Sequence, residues 1–249
     1  MIAIIGGSGL NELQGFKLIS RESITTDYGA EAVLVSRGYL QDIEVCFLAR
    51  HGAGHTIPPH CINYRSNIAA LKQLQVKAII GVNAVGGIHP KIGPGVITIP
   101  SQIIDYSWGR EHTFSDGREG VVAHVDFTAP YDEKLRHLLL NAAHEKGLPV
   151  WPQGVYGCTQ GPRLESAAEV RRLLQDGCDM VGMTGMPEAA LAREVGIPYA
   201  CIALSVNWSA GISDELITME SIYAVLDSGM GSIQAIVQRT VEQWSQESR

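Results

Sequence analysis

An α/β fold, one domain with a central mixed β-sheet flanked by helices, follows from three observations on the sequence. Short apolar runs alternate with segments of helical period along the whole chain. Several of those runs are apolar continuously, not at every second residue, as expected of strands covered on both faces. Three helical segments end at Gly147, Gly177 and Gly196, the residue favoured just past a helix C-terminus.

The strands expected in order are "MIAIIGG" at the start, "EVCFLAR" (44–50), "VKAIIGVNAVGG" (76–87), "GVITIP" (95–100) and "PYACIALSV" (198–206). The helices expected are 64–75, 131–147, 165–177, 187–196 and 221–244. No linker, repeat or low-complexity segment interrupts the pattern, so 1–249 reads as a single domain.

Composition narrows the function. Net charge is −7, and the only basic cluster is Arg171-Arg172 on an expected helix, so a nucleic-acid partner is not expected. A small anion remains possible, because a few placed donors bind one. The five cysteines form no C-x-x-C pair; Cys46, Cys178 and Cys201 lie in or beside apolar runs, which favours a reducing compartment. With no signal peptide and no apolar run of membrane-spanning length, a cytoplasmic protein without membrane contact is expected.

Three strand ends carry the chemistry. "GGSGL" (6–10) follows the first strand, "ARHGAGH" (49–55) ends another, and "NAVGG" (83–87) ends a third. Glycines there turn backbone amides toward an anion, and ligands of open α/β sheets bind outside the carboxyl ends of strands. Together the loops offer Ser8, Arg50, His51, Asn83 and amides around Ala84. Arg50 is the central cation, since its planar fork suits a phosphate bidentately. A surface ion pair for Arg50 and a structural role for His51 are the plain alternatives. The spacing of "GGSGL" lacks the third glycine of a dinucleotide fingerprint, and no acidic residue follows at the required distance, which counts against a non-catalytic nucleotide-binding module. His51, His55 and His60 are separated by Gly and Pro-Pro with no acid nearby, so no metal is expected.

The blocks "GGSGL", "RHGAGHTIPPHCINYRSNIAAL", "NAVGGI", "QGPRLES", "DMVGMTGMPEAALAREVGIPYA" and "SVNWSAG" resemble the trimeric purine nucleoside phosphorylases, with the methylthioadenosine phosphorylases as the nearer branch. The resemblance runs from residue 2 to about residue 240. It implies attack of inorganic phosphate on the anomeric carbon of a purine nucleoside, with phosphate as co-substrate and no cofactor, in a homotrimer. Phosphate is then held by Ser8, Arg50, His51, the backbone of Ala84 and Thr184, and Met183 lies under the ribose. Glu188 is a ribose-side or structural acid, with a cap on the following helix as the plain alternative.

Family positions also speak to the base. The strand-end residue is Asp where adenine is the base and Asn where a 6-oxopurine is; here it is Asn207. A 6-oxopurine presents an acceptor at C6, which a carboxylate would repel and an amide can meet, so Asn207 is the expected catalytic donor to O6 and N7 of the leaving base. Glu165 matches the glutamate that accepts N1–H of an oxopurine; an ordinary first-turn helix acid is the alternative. Ser209 stands where the adenine branch has a second acid, and Trp208 is either a wall of the substrate site or a core aromatic.

For the sugar, the resemblance places Met219 or Ile222 where enzymes of ordinary nucleosides have a histidine near the 5′-hydroxyl, implying an apolar 5′ pocket. His124 resembles the residue supplied across the trimer interface. An oxopurine base site with a methylthio sugar site implies 5′-methylthioinosine as substrate. A general inosine/guanosine phosphorylase and a methylthioadenosine phosphorylase are the alternatives.

Overall fold

Strand β5 (Ala78–Gly87) organises the molecule, because both of its edges are used and one is used twice. The computed structural model describes residues 1–10, 14–117 and 122–247. Three strands run parallel with β5: β1 (Ile2–Gly6), β4 (Ile43–Ala49) beyond it, and β11 (Tyr199–Trp208) on the opposite edge. These are the continuous apolar runs of the sequence; β1 is buried throughout and β11 over its first eight residues.

Beyond β4 the sheet turns antiparallel through β3 (Val33–Leu40) and β2 (Phe16–Ile24). On the other side β10 (Met180–Gly182) pairs antiparallel with the end of β5 and parallel with β9 (Val155–Cys158), which pairs in turn with β7 (Gln102–Asp105). The short β6 (Ile97–Thr98) and β8 (Val150–Trp151) extend the sheet from β11. The sheet is mixed, as expected. The run expected as a strand over 95–100 pairs only at Ile97–Thr98, while β2, β3 and β7 to β10 were not anticipated.

Helices cover both faces. α2 (Glu133–Glu145) and α5 (Met219–Glu247) pack on one side, where Leu139, Ile233 and Val237 meet Ile4, Ile80 and Leu204. α1 (Tyr64–Gln73) and α4 (Glu188–Glu194) cover the other, where Ile68, Leu71 and Leu191 meet Ile5, Ile79 and Cys201. α3 (Ala167–Gln175) lies over a smaller cluster with Val181. The starts follow side-chain chemistry: Asn63, Asp132 and Ser166 accept from backbone amides of the first turns of α1, α2 and α3. The ends follow glycine, with φ of 65°, 90° and 73° at Gly147, Gly177 and Gly196. Among the described residues no helix is long and apolar enough to cross a membrane.

Two irregularities position the site. β1 pairs with β5 only over 78–81 and β10 only at Gly86 and Gly87, so 82–85 has no strand partner on that edge among the described residues. The β5–β11 register then shifts between Ser205 and Asn207, inserting Val206 as a bulge. A bulge re-aims the side chains that follow it, here Asn207 and Ser209.

Candidate active site

A cleft of about 690 Å³ opens at the gap along β5. The ends of β1, β4, β5, β10 and β11 converge on it, and the start of α5 forms one wall. Of the residues expected at a site, Ser8, Arg50, His51, Ala84, Met183 and Thr184 line this cleft, and so do Glu165, Asn207, Ser209, Met219 and Ile222. Trp208 does not: its ring sits against Gly93, where a Cβ would come within 2.6 Å of the indole. His124 is exposed and outside the cleft of its own chain. A groove of about 670 Å³ beside β2 to β4 shares buried Arg50 but none of the other expected residues.

At the end of the cleft near Ser8 and Arg50, Gly7 is required by close approach: a Cβ there would stand 2.8 Å from the Val82 carbonyl oxygen and 2.9 Å from Arg50 Nη1. Arg50 differs from the expectation of a fork free for phosphate. Its Nε and Nη2 donate to the two oxygens of Glu188 at 2.6 and 2.7 Å, and Nη1 donates to the Val82 carbonyl at 3.1 Å. That last bond satisfies a β5 carbonyl within the unpaired stretch. Only the second hydrogens on Nη1 and Nη2 remain for a ligand. Burial works against the charge, but the Glu188 carboxylate more than offsets it and raises the guanidinium pKa above its ordinary value. Glu188 neither lines the cleft nor caps α4: it is buried, and it also accepts from Tyr199 Oη at 2.8 Å. It is the structural acid among the roles expected of it, and neither a ribose-side residue of the cleft nor a helix cap.

His51 is likewise committed on one side. Its Nδ1 lies 2.8 Å from the Ile57 carbonyl oxygen, which only accepts, so Nδ1 carries the hydrogen. Burial, with Arg50 and His55 adding to it, lowers the pKa to about 4. The ring is neutral at physiological pH, and Nε2 is an acceptor. His55, passed over in the sequence as a ligand, lines the cleft beside it: the rings are 4.4 Å apart and His55 Nε2 is 3.4 Å from Ser8 Oγ. Asn83 Nδ2 donates to Thr184 Oγ1 at 2.8 Å, which leaves the Thr184 hydroxyl hydrogen free to donate elsewhere. Among the described residues no three His, Cys, Asp or Glu side chains gather as a metal site.

At the opposite end, Asn207 spends one amide hydrogen on the Trp208 carbonyl at 2.7 Å, leaving one for a ligand. Ser209 is 4% exposed and its Oγ has no hydrogen-bond partner among the described residues. Gly86 makes room for it, since a Cβ there would stand 2.7 Å from that hydroxyl. Asn207 and Ser209 thus each keep one donor hydrogen at this end of the cleft. Glu165 accepts from Thr159 Oγ1 at 2.6 Å, a bond the sequence does not reveal. Between the ends, Met183, Val206, Ile217, Met219 and Ile222 make an apolar wall. Both candidates for the 5′ pocket are present in it, Ile222 buried and Met219 at the exposed rim.

The α/β fold presents one cleft with hydrogen-bond donors and an apolar wall, and residues 1–242 match the Phosphorylase superfamily. The chain belongs to that family and is an enzyme of the purine nucleoside phosphorylase type, a pentosyltransferase. It is 51% identical to a probable S-methyl-5′-thioinosine phosphorylase of Pseudomonas syringae pv. tomato, over 96% of this chain and 97% of that one. It is 46% identical to a 6-oxopurine nucleoside phosphorylase of Pyrococcus furiosus, over 90% of this chain and 86% of that one. A methylthioadenosine phosphorylase from Schistosoma mansoni, solved with adenine, superposes with a TM-score of 0.93 at 30% identity, covering 98% of this chain and 91% of that one.

Proposed function

We propose that the enzyme cleaves S-methyl-5′-thioinosine with inorganic phosphate, giving hypoxanthine and 5-methylthio-α-D-ribose 1-phosphate. One observation carries the reading: a single cleft holds oxopurine-type groups, Asn207 and Glu165, and an apolar wall at Met219 and Ile222. The relatives named for methylthioinosine support it.

In this reading phosphate lies among Ser8, the Ala84 backbone, Thr184 and the two remaining Arg50 hydrogens. Hydrogen phosphate carries one hydrogen, which neutral His51 can accept at Nε2. A phosphate oxygen forms the bond to C1′ as the C1′–N9 bond breaks, the bonding pair leaves with the purine, and the purine anion takes up the one proton that the new phosphate ester gives up. Positive charge on the sugar is stabilised by the adjacent anion. Negative charge on the base is met by hydrogen bonds from Asn207 and Ser209 at N7 and O6, and Glu165 accepts N1–H. No metal or organic cofactor enters the scheme. We place the enzyme in the cytoplasm as a homotrimer, with His124 of each subunit reaching a neighbour's 5′ pocket.

A second reading, a phosphorylase of ordinary 6-oxopurine nucleosides, is favoured by Tyr223 and Asp227, polar residues of α5 that line the cleft and could meet a 5′-hydroxyl. Phosphorolysis of methylthioinosine, inosine and methylthioadenosine, with phosphate present and absent, tests both. The expected result is a preference for methylthioinosine of roughly 10- to 100-fold, the scale of one hydroxyl or methylene mismatch in a pocket. Equal efficiency on inosine overturns the methylthio reading, and hydrolysis without phosphate overturns the anion site. Sedimentation of the intact protein checks the trimer.

A further inference from the structure

Glu165 carries a specificity role only if its carboxylate is held in one orientation, and the cleft itself supplies no group that holds it. The group lies behind it. Thr159, which does not line the cleft, places its hydroxyl 2.6 Å from Glu165 Oε1. The Gly182 carbonyl competes for the same hydrogen at 3.4 Å, and the shorter contact to a charged acceptor wins. Thr159 is itself fixed from two sides. Its amide donates to the Gly182 carbonyl at 2.8 Å, and its carbonyl accepts from Arg110 Nη2 at 3.1 Å.

Arg110 extends the connection. It is 8% exposed, and its contacts are carbonyls, a side-chain amide oxygen and a hydroxyl. Nη2 also reaches the Gln160 carbonyl at 2.9 Å, while Nη1 serves the Met183 and Met186 carbonyls at 2.8 and 2.5 Å. One guanidinium therefore ties the loop before Glu165 to the loop that carries Met183 and Thr184. A planar fork with five N–H groups can hold two loops at once, and an ammonium on a flexible stem cannot reproduce that geometry.

We propose that Thr159 is the positioning residue for base recognition, locking one oxygen of Glu165 so that the other is presented to N1–H of the purine, and that Arg110 holds this unit in register with the sugar–phosphate loop. The proposal rests on the reading of Glu165 as the base-recognition carboxylate. It makes Thr159 act on the nucleoside alone and Arg110 on nucleoside and phosphate together.

The test is a double-mutant cycle on the intact enzyme with kcat and both KM values measured. Thr159→Val is expected to lower kcat/KM for methylthioinosine by roughly 10-fold or more, the effect of one hydrogen bond to a charged group. The change should appear in the nucleoside KM, with the phosphate KM unaltered. Thr159→Ser, which keeps the hydroxyl, restores the parent values; it also reports on the proposal if the valine variant fails to fold. In a Glu165→Ala background, Thr159→Val should add less than about 2-fold, because there is no carboxylate left to orient. Arg110→Lys should raise both KM values. An undiminished valine effect in the Glu165→Ala background, or an equal rise in the phosphate KM, overturns the positioning role while leaving the substrate reading intact. If Glu165→Ala leaves the preference between 6-oxo- and 6-aminopurine nucleosides unaltered, the base-recognition reading itself fails, and this proposal fails with it.

Discussion

Arg50 and Glu188, 138 residues apart in sequence, form a two-pronged ion pair with neither side chain exposed beyond 1%. The pair joins the end of β4 to the first turn of α4, with Arg50 lining the cleft and Glu188 behind it. Its chemical consequence is that the strongest cation at the site is already compensated. In the proposed function, with His51 neutral as well, phosphate would meet mostly hydroxyls and amides, together with two leftover guanidinium hydrogens.

Glu188→Gln should therefore destabilise the fold by about 3–5 kcal/mol, the cost of leaving one member of a buried pair without its partner. The same variant creates an uncompensated cation facing the anion site. Saturating phosphate should then raise the melting temperature of Glu188→Gln by more than it raises that of the parent, since a ligand stabilises in proportion to its affinity for the folded state. Thermal melts with and without phosphate measure both effects. An equal phosphate shift in the two proteins would show that Arg50 does not sense the bound anion.

Ser209 offers a separation of stability from activity. A buried hydroxyl without a partner is a cost to the folded chain that a ligand can remove. Ser209→Ala should leave the unfolding free energy unchanged or raise it slightly, by on the order of 1 kcal/mol, and should lower kcat/KM roughly 5- to 10-fold. A structural serine gives the opposite signs: stability falls and activity holds. Chemical denaturation and steady-state kinetics on the same preparation distinguish them.

Much of this arrangement is legible in the sequence because it is local. The parallel strands are continuous apolar runs, the helix ends are glycines, and the strand-end donors stand in short motifs. β2 and β3 are not legible in the same way. In "FKLISRESI" polar residues break the apolar run, and Leu18 and Ile19 of β2 and Leu34 of β3 remain about half exposed. The strands β6 to β10 are two to four residues long, too short for a period to show. The buried links are the least legible. Arg50 to Glu188, Thr159 to Glu165 and Arg110 to two loops depend on which chain segments the sheet brings together. A sequence motif shows the donor and not the acceptor it has already met.

Asn207→Asp should move the base preference from 6-oxo- toward 6-aminopurine nucleosides, by roughly 10- to 100-fold in the ratio of kcat/KM values. A carboxylate repels O6 and accepts from a 6-amino group, and removing a matched hydrogen bond in a buried site costs that much. The bond from Asn207 Nδ2 to the Trp208 carbonyl is lost in the variant, so some loss of stability accompanies the switch. Competition between methylthioinosine and methylthioadenosine in one reaction reads the ratio directly. An unaltered ratio would place base selection elsewhere, with Glu165 as the remaining candidate.

His51 sets an acid limit on stability. Its folded pKa is near 4 against an ordinary 6.5, so below pH 6.5 the unfolded chain binds the proton that the folded chain refuses. The stabilising contribution of neutral His51 is complete above about pH 6.5 and is lost progressively as pH falls toward 4. The shift corresponds to roughly 1–2 kcal/mol after allowance for partial solvent screening. Protonation also adds a cation beside Arg50 and His55 and removes the Nε2 lone pair, so the acceptor proposed for hydrogen phosphate is lost in the same interval. His51→Asn should flatten the dependence of the denaturation midpoint on pH between 4 and 6.5, because an amide can keep the bond to the Ile57 carbonyl without titrating. Midpoints measured at intervals across that range, for parent and variant, give the two slopes. A parent slope that persists unaltered in His51→Asn would assign the acid sensitivity to other groups.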